Sequence, residues 1–200
     1  MKMWDWLIET LWMNRERNIG LKEYYEVVKK ACKGKDGVEF LGLYRPLNEG
    51  WNWVYFLKTD SLDKWRELDN EIAKYVDVYD NVTSTMTRIY LGSDQFKQPP
   101  TPKKMGSPNY IVEDIQLWAG VDVGLREYYS EACELFDGVE GAWLFGLYVP
   151  WSEGSNWTFV YMYDSLSRHI DRAMEWSRRY GRPENLISSV IRIYERYEPN

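Results

Sequence analysis

The chain has little of what most catalytic and structural signatures need. It holds one histidine, His169, and two cysteines, Cys32 and Cys133, in 200 residues. Two cysteines cannot build a disulfide scaffold, and neither stands at metal-ligand spacing from a histidine or the other cysteine. A Ser–His–Asp arrangement would have to use His169, and no nucleophile-elbow pattern accompanies it. Glycine-rich phosphate loops are missing; Gly34 and Gly37 read as helix-stop and turn residues. Basic residues cluster no further than the pairs Lys103-Lys104 and Arg178-Arg179, and the net charge is −6. Phosphate neutralisation calls for a basic face, so no nucleic-acid partner is expected. No uninterrupted apolar stretch approaches the roughly 20 residues of a membrane helix, so no membrane partner is expected either. Asp5 and Glu9 interrupt the apolar start and no small-residue cleavage site follows, which points to a cytoplasmic protein.

What the chain has in excess is aromatic surface: 11 Trp and 16 Tyr. Aromatic side chains bury large areas, and their O–H or N–H groups need partners when buried, so they suit packed cores and ligand-lined cavities alike. The second feature is a repeat. Shifted by 104 positions, the chain matches itself without a gap: Gly20-Leu21 falls on Gly124-Leu125, Glu23-Tyr24-Tyr25 on Glu127-Tyr128-Tyr129, and Gly42-Leu43-Tyr44 on Gly146-Leu147-Tyr148. Asn52-Trp53 meets Asn156-Trp157, Asp60-Ser61-Leu62 meets Asp164-Ser165-Leu166, and Arg88-Ile89-Tyr90 meets Arg192-Ile193-Tyr194. Two copies are too few for a solenoid, so a duplicated domain is the natural reading. The organisation is a first repeat over 1–90, a proline-rich linker over 91–108, and a second repeat over 109–200.

Each copy reads as β-α-β-β-α-β. Trp4–Met13 and Asn109–Leu117 mix apolar and polar residues at near period two, as strands do. Leu21, Tyr24, Tyr25 and Val28 recur at helical spacing, and Leu125, Tyr128, Tyr129 and Ala132 repeat that stripe. The runs Val38–Arg45 and Asn52–Thr59, with their equivalents Ala142–Val149 and Asn156–Tyr163, flank turn residues and read as hairpins. Asp60 and Asp164 stand at expected helix N-caps. Beyond them, Leu62, Trp65, Leu68 and Ile72 form one apolar face, with Leu166, Ile170, Ala173 and Trp176 as its counterpart. Val82–Tyr90 and Leu186–Tyr194 close the two units. This is the split β-α-β pattern, with helices on one face of an antiparallel sheet.

By this topology, spacing and duplication the sequence resembles the dimeric α+β barrel superfamily in its tandem-fused form. That group includes antibiotic-biosynthesis-type monooxygenases, stress-responsive barrel proteins, EthD-like proteins and chlorite-dismutase-like haem proteins. The resemblance implies an α+β fold of two ferredoxin-like βαββαβ units forming a pseudo-twofold barrel, whose lumen often holds the ligand or cofactor. The haem-binding relatives place their iron-ligating histidine in the first helix of the second copy; here that helix, Gly124 to Phe136, has none. No cofactor is therefore expected.

Glu9 and Glu113 align with each other, each in mid-strand between apolar residues of the same face. Burial raises a carboxylate's pKa unless a cation or donors compensate, and Arg88 and Arg192 lie in the strands expected beside them. As functional groups, Glu9 or Glu113 would be a general base and Arg88 or Arg192 an anion clamp; as structural groups they would be ion pairs fixing the sheet. Tyr44, Tyr148, Trp53, Trp157, Tyr90 and Tyr194 could line a pocket for a flat ligand or simply pack across strands. His169 reads as a packed or half-exposed side chain on the rim of a helix face.

The reading that follows is a small-molecule-binding protein, with a cofactor-independent oxygenase or isomerase acting on a small aromatic or polyketide-like compound as its enzymatic form. The alternatives are a non-catalytic binding or assembly module with a filled core, self-associating through edge strands, and a haem protein with non-standard ligation.

Overall fold

A computed structural model describes residues 5–16, 20–75, 82–92, 108–119, 124–151 and 157–198. The proline-rich stretch 93–107 of the expected linker lies outside these residues. The chain divides into two compact units, Met1–Gly92 with Arg196–Asn200, and Ser93–Glu195.

In unit 1 the order is β1 (Trp6–Asn14), α1 (Leu21–Cys32), β2 (Val38–Pro46), β3 (Trp53–Thr59), α2 (Leu62–Ile72) and β4 (Val82–Gly92). β1 is central, antiparallel to both β3 and β4, and β2 pairs with the far side of β3. Period-two alternation gives each strand two faces. Ile8, Trp12, Leu43, Trp53, Tyr55 and Leu57 point to the helices and form the core with Leu21, Tyr24, Val28, Leu68 and Ile72. The register sets Glu9 beside Phe56 and Arg88, and Leu7 beside Tyr90, on the other face. Tyr197, from the end of the chain, donates its backbone N–H to Leu43 O at 2.9 Å and sets its ring 4.4 Å from that of Trp53.

Unit 2 repeats the plan with β5 (Tyr110–Trp118), α3 (Leu125–Phe136), β6 (Ala142–Pro150), β7 (Trp157–Tyr163), α4 (Leu166–Arg179) and β8 (Leu186–Arg196). β5 pairs antiparallel with β7 and β8, and β6 with β7. Even the irregularities recur: the β2–β3 register shifts between Phe40 and Gly42, the β6–β7 register between Leu144 and Gly146. Gly37 and Gly141 are a matched necessity. Both have left-handed backbones, φ +71° and +74°, and a Cβ at either would collide with the carboxylate of Asp60 or Asp164.

Those aspartates are not the helix caps expected from the sequence. The N-caps are Ser61, whose hydroxyl accepts from Asp63 N at 3.1 Å, and Ser165. Asp60 instead pairs with Lys64 at 2.8 Å, one residue outside the cap, while its backbone N–H is tied to Gly37 O. The expected inner face of α4 needs correction too. Ile170 is 52% exposed, Ala173 is exposed, and α4 buries no residue, whereas α2 buries Leu68 and Ile72.

Candidate functional site

Two arrangements of polar groups are buried on the sheets. The first is the carboxylate–guanidinium pair on the face away from the helices. Glu9 is fully buried and Arg88 nearly so; Arg88 Nη1 donates to Glu9 Oε2 at 3.2 Å. Arg88 also forks onto Glu49, Nη1 to Oε2 at 3.0 Å and Nη2 to Oε1 at 2.7 Å. That bidentate geometry is the strong form of the interaction. In unit 2, Glu113 is fully buried, Arg192 Nη1 lies 3.8 Å from Glu113 Oε2, and Tyr194 donates its hydroxyl to the same oxygen at 3.2 Å.

The structure therefore brings Glu9 and Arg88 together, and likewise Glu113, Arg192 and Tyr194. Tyr44 and Tyr90 share the Glu9 face by register, Tyr44 with its hydroxyl donating to Leu41 O at 3.3 Å and its ring edge-on to Phe56. Tyr148 is likewise buried beside Thr158 in the β6–β7 ladder. Trp53 and Trp157 lie elsewhere: both are in the helix-covered cores, one residue out of phase with the carboxylate face.

The second arrangement is confined to unit 2, and sequence reasoning missed most of it. Asp114 and Gln116 follow Glu113 on β5, but alternation turns them to the helix side. Gln116 Nε2 donates to Asp114 Oδ2 at 2.6 Å and lies 2.9 Å from the Tyr128 hydroxyl; Trp118 Nε1 donates to Gln116 Oε1 at 2.9 Å. Tyr128 reaches the same Asp114 oxygen at 3.5 Å. Asp114 Oδ1 is buried and accepts no hydrogen bond. Burial pushes the Asp114 carboxyl up to about 6, opposed by its contacts with Gln116, Ser189 and Tyr128. Burial likewise raises the Tyr128, Tyr161 and Tyr163 phenols far above their ordinary range, so all three are neutral donors.

Above this polar floor, beneath α4, lies a cleft. Its inner part is a cavity of about 270 Å³ lined by Asp114, Tyr128, Phe136, Tyr161, His169 and Trp176 among others. Asp114, Tyr128, Trp176 and Ser189 also line an adjoining open groove of about 520 Å³ that runs past Arg182 and Leu186. The walls are aromatic: Tyr128 and Trp176 lie 4.4 Å apart, and Phe136 stacks on Tyr161 at 5.0 Å. His169 packs edge-on against Tyr163, burial lowers its pKa, and its Nδ1 is buried without a hydrogen bond. The single histidine is thus packed and half-buried, as expected from the sequence, and it also lines the cleft. Arg172, on the same helix, directs Nη1 to Leu135 O at 3.4 Å.

Among the described residues no group of three or more His, Cys, Asp or Glu is placed to hold a metal ion, and no helix is long and apolar enough to cross a membrane. α3 carries no histidine, so the iron ligation expected of the haem-binding relatives has no residue to make it there.

No family model and no curated protein matches the chain. Solved structures do. A protein provisionally assigned as the chlorite dismutase TA0507 superposes with a TM-score of 0.65 at 11% identity, covering 99% of this chain and 96% of that one. A chlorite dismutase double mutant from Candidatus Nitrospira defluvii gives a TM-score of 0.64 at 10% identity over 98% and 92% of the two chains. A protein from Lactobacillus acidophilus NCFM, provisionally assigned as a monooxygenase, gives 0.62 at 10% identity over 96% and 93%. The chain thus has the α+β fold of the dimeric α+β barrel proteins in tandem, single-chain form. At such identities the likeness concerns the fold.

Proposed function

We propose that this protein binds a small, ring-sized molecule in the cleft of unit 2, between the β5–β7–β8 sheet and α4. One observation carries the reading: an aromatic cavity over a built polar floor, in which Asp114 and Tyr128 are held together by hydrogen bonds. Pockets of this kind, mostly apolar with a few placed polar groups, are the usual form of small-molecule sites. An apolar cavity of about 150 Å³ holds benzene, so 270 Å³ holds one ring with a short substituent. The neighbours in fold carry names of small-molecule enzymes, chlorite dismutase and monooxygenase, which agrees with such a role.

The enzymatic form, an oxygenase or isomerase using Glu9 or Glu113 as base and Arg88 or Arg192 as clamp, draws support from the burial of both carboxylates. Against it stands the Glu49 fork, which already occupies Arg88 as an incoming anion would. We assign that triad a structural role and place ligand binding at Asp114. A module with a wholly filled core is disfavoured by the cleft itself.

The test is ligand-observed NMR on the full chain with benzyl alcohol, a neutral ring with one donor. Saturable binding that disappears in Ser189→Trp, which puts an indole at the mouth of the cleft, is the expected result. No binding at millimolar concentrations, or binding that survives Ser189→Trp, overturns the reading.

A further inference from the structure

The charges around the cleft of unit 2 are unequal in how they can meet a ligand, and this step rests on the reading of that cleft as a binding site. Among the described residues lining the cavity and its groove, Arg172 and Arg182 are the cations and Asp114 the anion. Asp114 is 9% exposed; Gln116 and Tyr128 hold Oδ2, Ser189 serves the same carboxyl, and Oδ1 is buried. Its charge lies beneath the floor. His169 is held neutral near pH 7 by burial.

Arg172 is placed differently. Under the 104-residue shift it falls on Leu68, which is fully buried in unit 1, so it belongs to the inner row of α4. It is half-buried, lines the cavity, and lies near enough to the Tyr163 phenol on the cavity wall to act against the rise in that group's pKa. The other arginines of α4 each have a carboxylate close by: Arg168 lies 3.7 Å from Asp164, and Arg178 and Arg179 reach Glu175 at 2.6 and 2.5 Å. Arg172 has none at such a distance among the described residues; its hydrogen bond there runs from Nη1 to Leu135 O at 3.4 Å. That bond caps the last turn of α3, and it uses one N–H of a group that carries several in a fixed fork. A guanidinium part-withdrawn from water, with its fork incompletely used, suits a planar carboxylate.

We infer that the cleft of unit 2 takes a carboxylate joined to a single aromatic ring, with the carboxylate on the Arg172 guanidinium and the ring against Tyr161, Phe136 and Trp176. The cavity of about 270 Å³ sets the size. Arg182 is exposed on the adjoining groove and donates to Leu186 O and Ile187 O at 3.0 and 2.7 Å. It adds a longer-range attraction that salt screens.

Calorimetric titration of the whole chain with benzoate, benzyl alcohol and benzylamine compares one ring carrying three different groups. Benzoate is expected to bind tightest, about tenfold tighter than benzyl alcohol, the lower end for a charge-assisted hydrogen bond at a half-buried group, and benzylamine weakest. In Arg172→Gln, which keeps an N–H donor and removes the charge, the advantage of benzoate should disappear while benzyl alcohol binds as before. A merely structural arginine would leave the benzoate-to-alcohol ratio unchanged, and that outcome overturns the assignment, as does an advantage lost in Arg182→Gln instead. Equal affinities for benzoate and benzyl alcohol in the wild type, or a preference for benzylamine, overturn the ligand class and leave the cleft standing as a site. Failure of all three ligands removes the site itself. The wild-type comparison decides between these outcomes even if neither variant folds.

Discussion

The two units share topology, register and bulges, yet they treat the space between sheet and second helix in opposite ways. In unit 1 that space is filled. Trp12, Leu57, Leu68 and Ile72 meet there, each no more than 2% exposed. In unit 2 the equivalent positions under the 104-residue shift are Gln116, Tyr161, Arg172 and Trp176, with Asp114 where unit 1 has Thr10 and His169 where it has Trp65. The result is a helix, α4, with no buried residue, and a polar cleft beneath it. A cavity of about 380 Å³ on the outside of α1 in unit 1 has a lysine-rich rim and no buried polar floor. One copy fills this place with buried apolar side chains, and the other lines it with aromatic and polar ones, several only half-buried. Residues lost from a core without functional return are a net cost in stability, so the difference itself argues for use of the cleft.

The comparison breaks most decisively by exchanging the residues that define it. Leu68→Arg puts an unpaired guanidinium into a fully buried apolar site, and about 4 kcal/mol or more of stability should be lost. The reciprocal Arg172→Leu, in a helix with nothing buried, should change stability by less than about 1 kcal/mol in either direction. Urea unfolding of both variants measures this. Comparable losses would mean that the two helices are equally packed.

A smaller effect concerns pH. An aspartate has a reference pKa near 3.9 when unfolded, and burial holds Asp114 at about 6 in the folded protein. Between these values the folded state binds the extra proton. Its contribution to stability is therefore present in full below about pH 4 and is lost as the pH rises through about 6, a difference of up to roughly 3 kcal/mol. Asp114→Asn should flatten that part of the profile. A wild-type profile that rises from pH 4 to 6 and is unchanged by the substitution would show that Asp114 is not desolvated.

Much of this was legible in the sequence. Period-two patterning in Trp6–Asn14 and its copy, helical stripes from Leu21 and Leu125, and the repeat itself dictate two βαββαβ units with their helices on one face. Glu9 opposite Arg88 follows from strand order. Three things were harder to read. Glu49 joins Arg88 from the β2–β3 turn, and turn geometry is not encoded in a periodic pattern. Trp53 and Trp157 sit beside residues of the pocket-like face, but alternation places them on the opposite one. The inner row of α4, His169–Arg172–Trp176, is mostly polar, so a search for an apolar face selects Ile170 instead, which is exposed. The signal lay in the alignment of the copies: Arg172 falls on Leu68 and Asp114 on Thr10, and a charge standing in place of a core residue marks an opening.

The most direct measurement is to map benzyl alcohol onto the folded chain by ¹H–¹⁵N chemical-shift perturbation. The account predicts saturable shifts at Asp114, Tyr128, Tyr161, His169 and Trp176, with their unit 1 equivalents Thr10, Tyr24, Leu57, Trp65 and Ile72 silent. Equal shifts in both units, or shifts centred on Glu9 and Arg88, would contradict it.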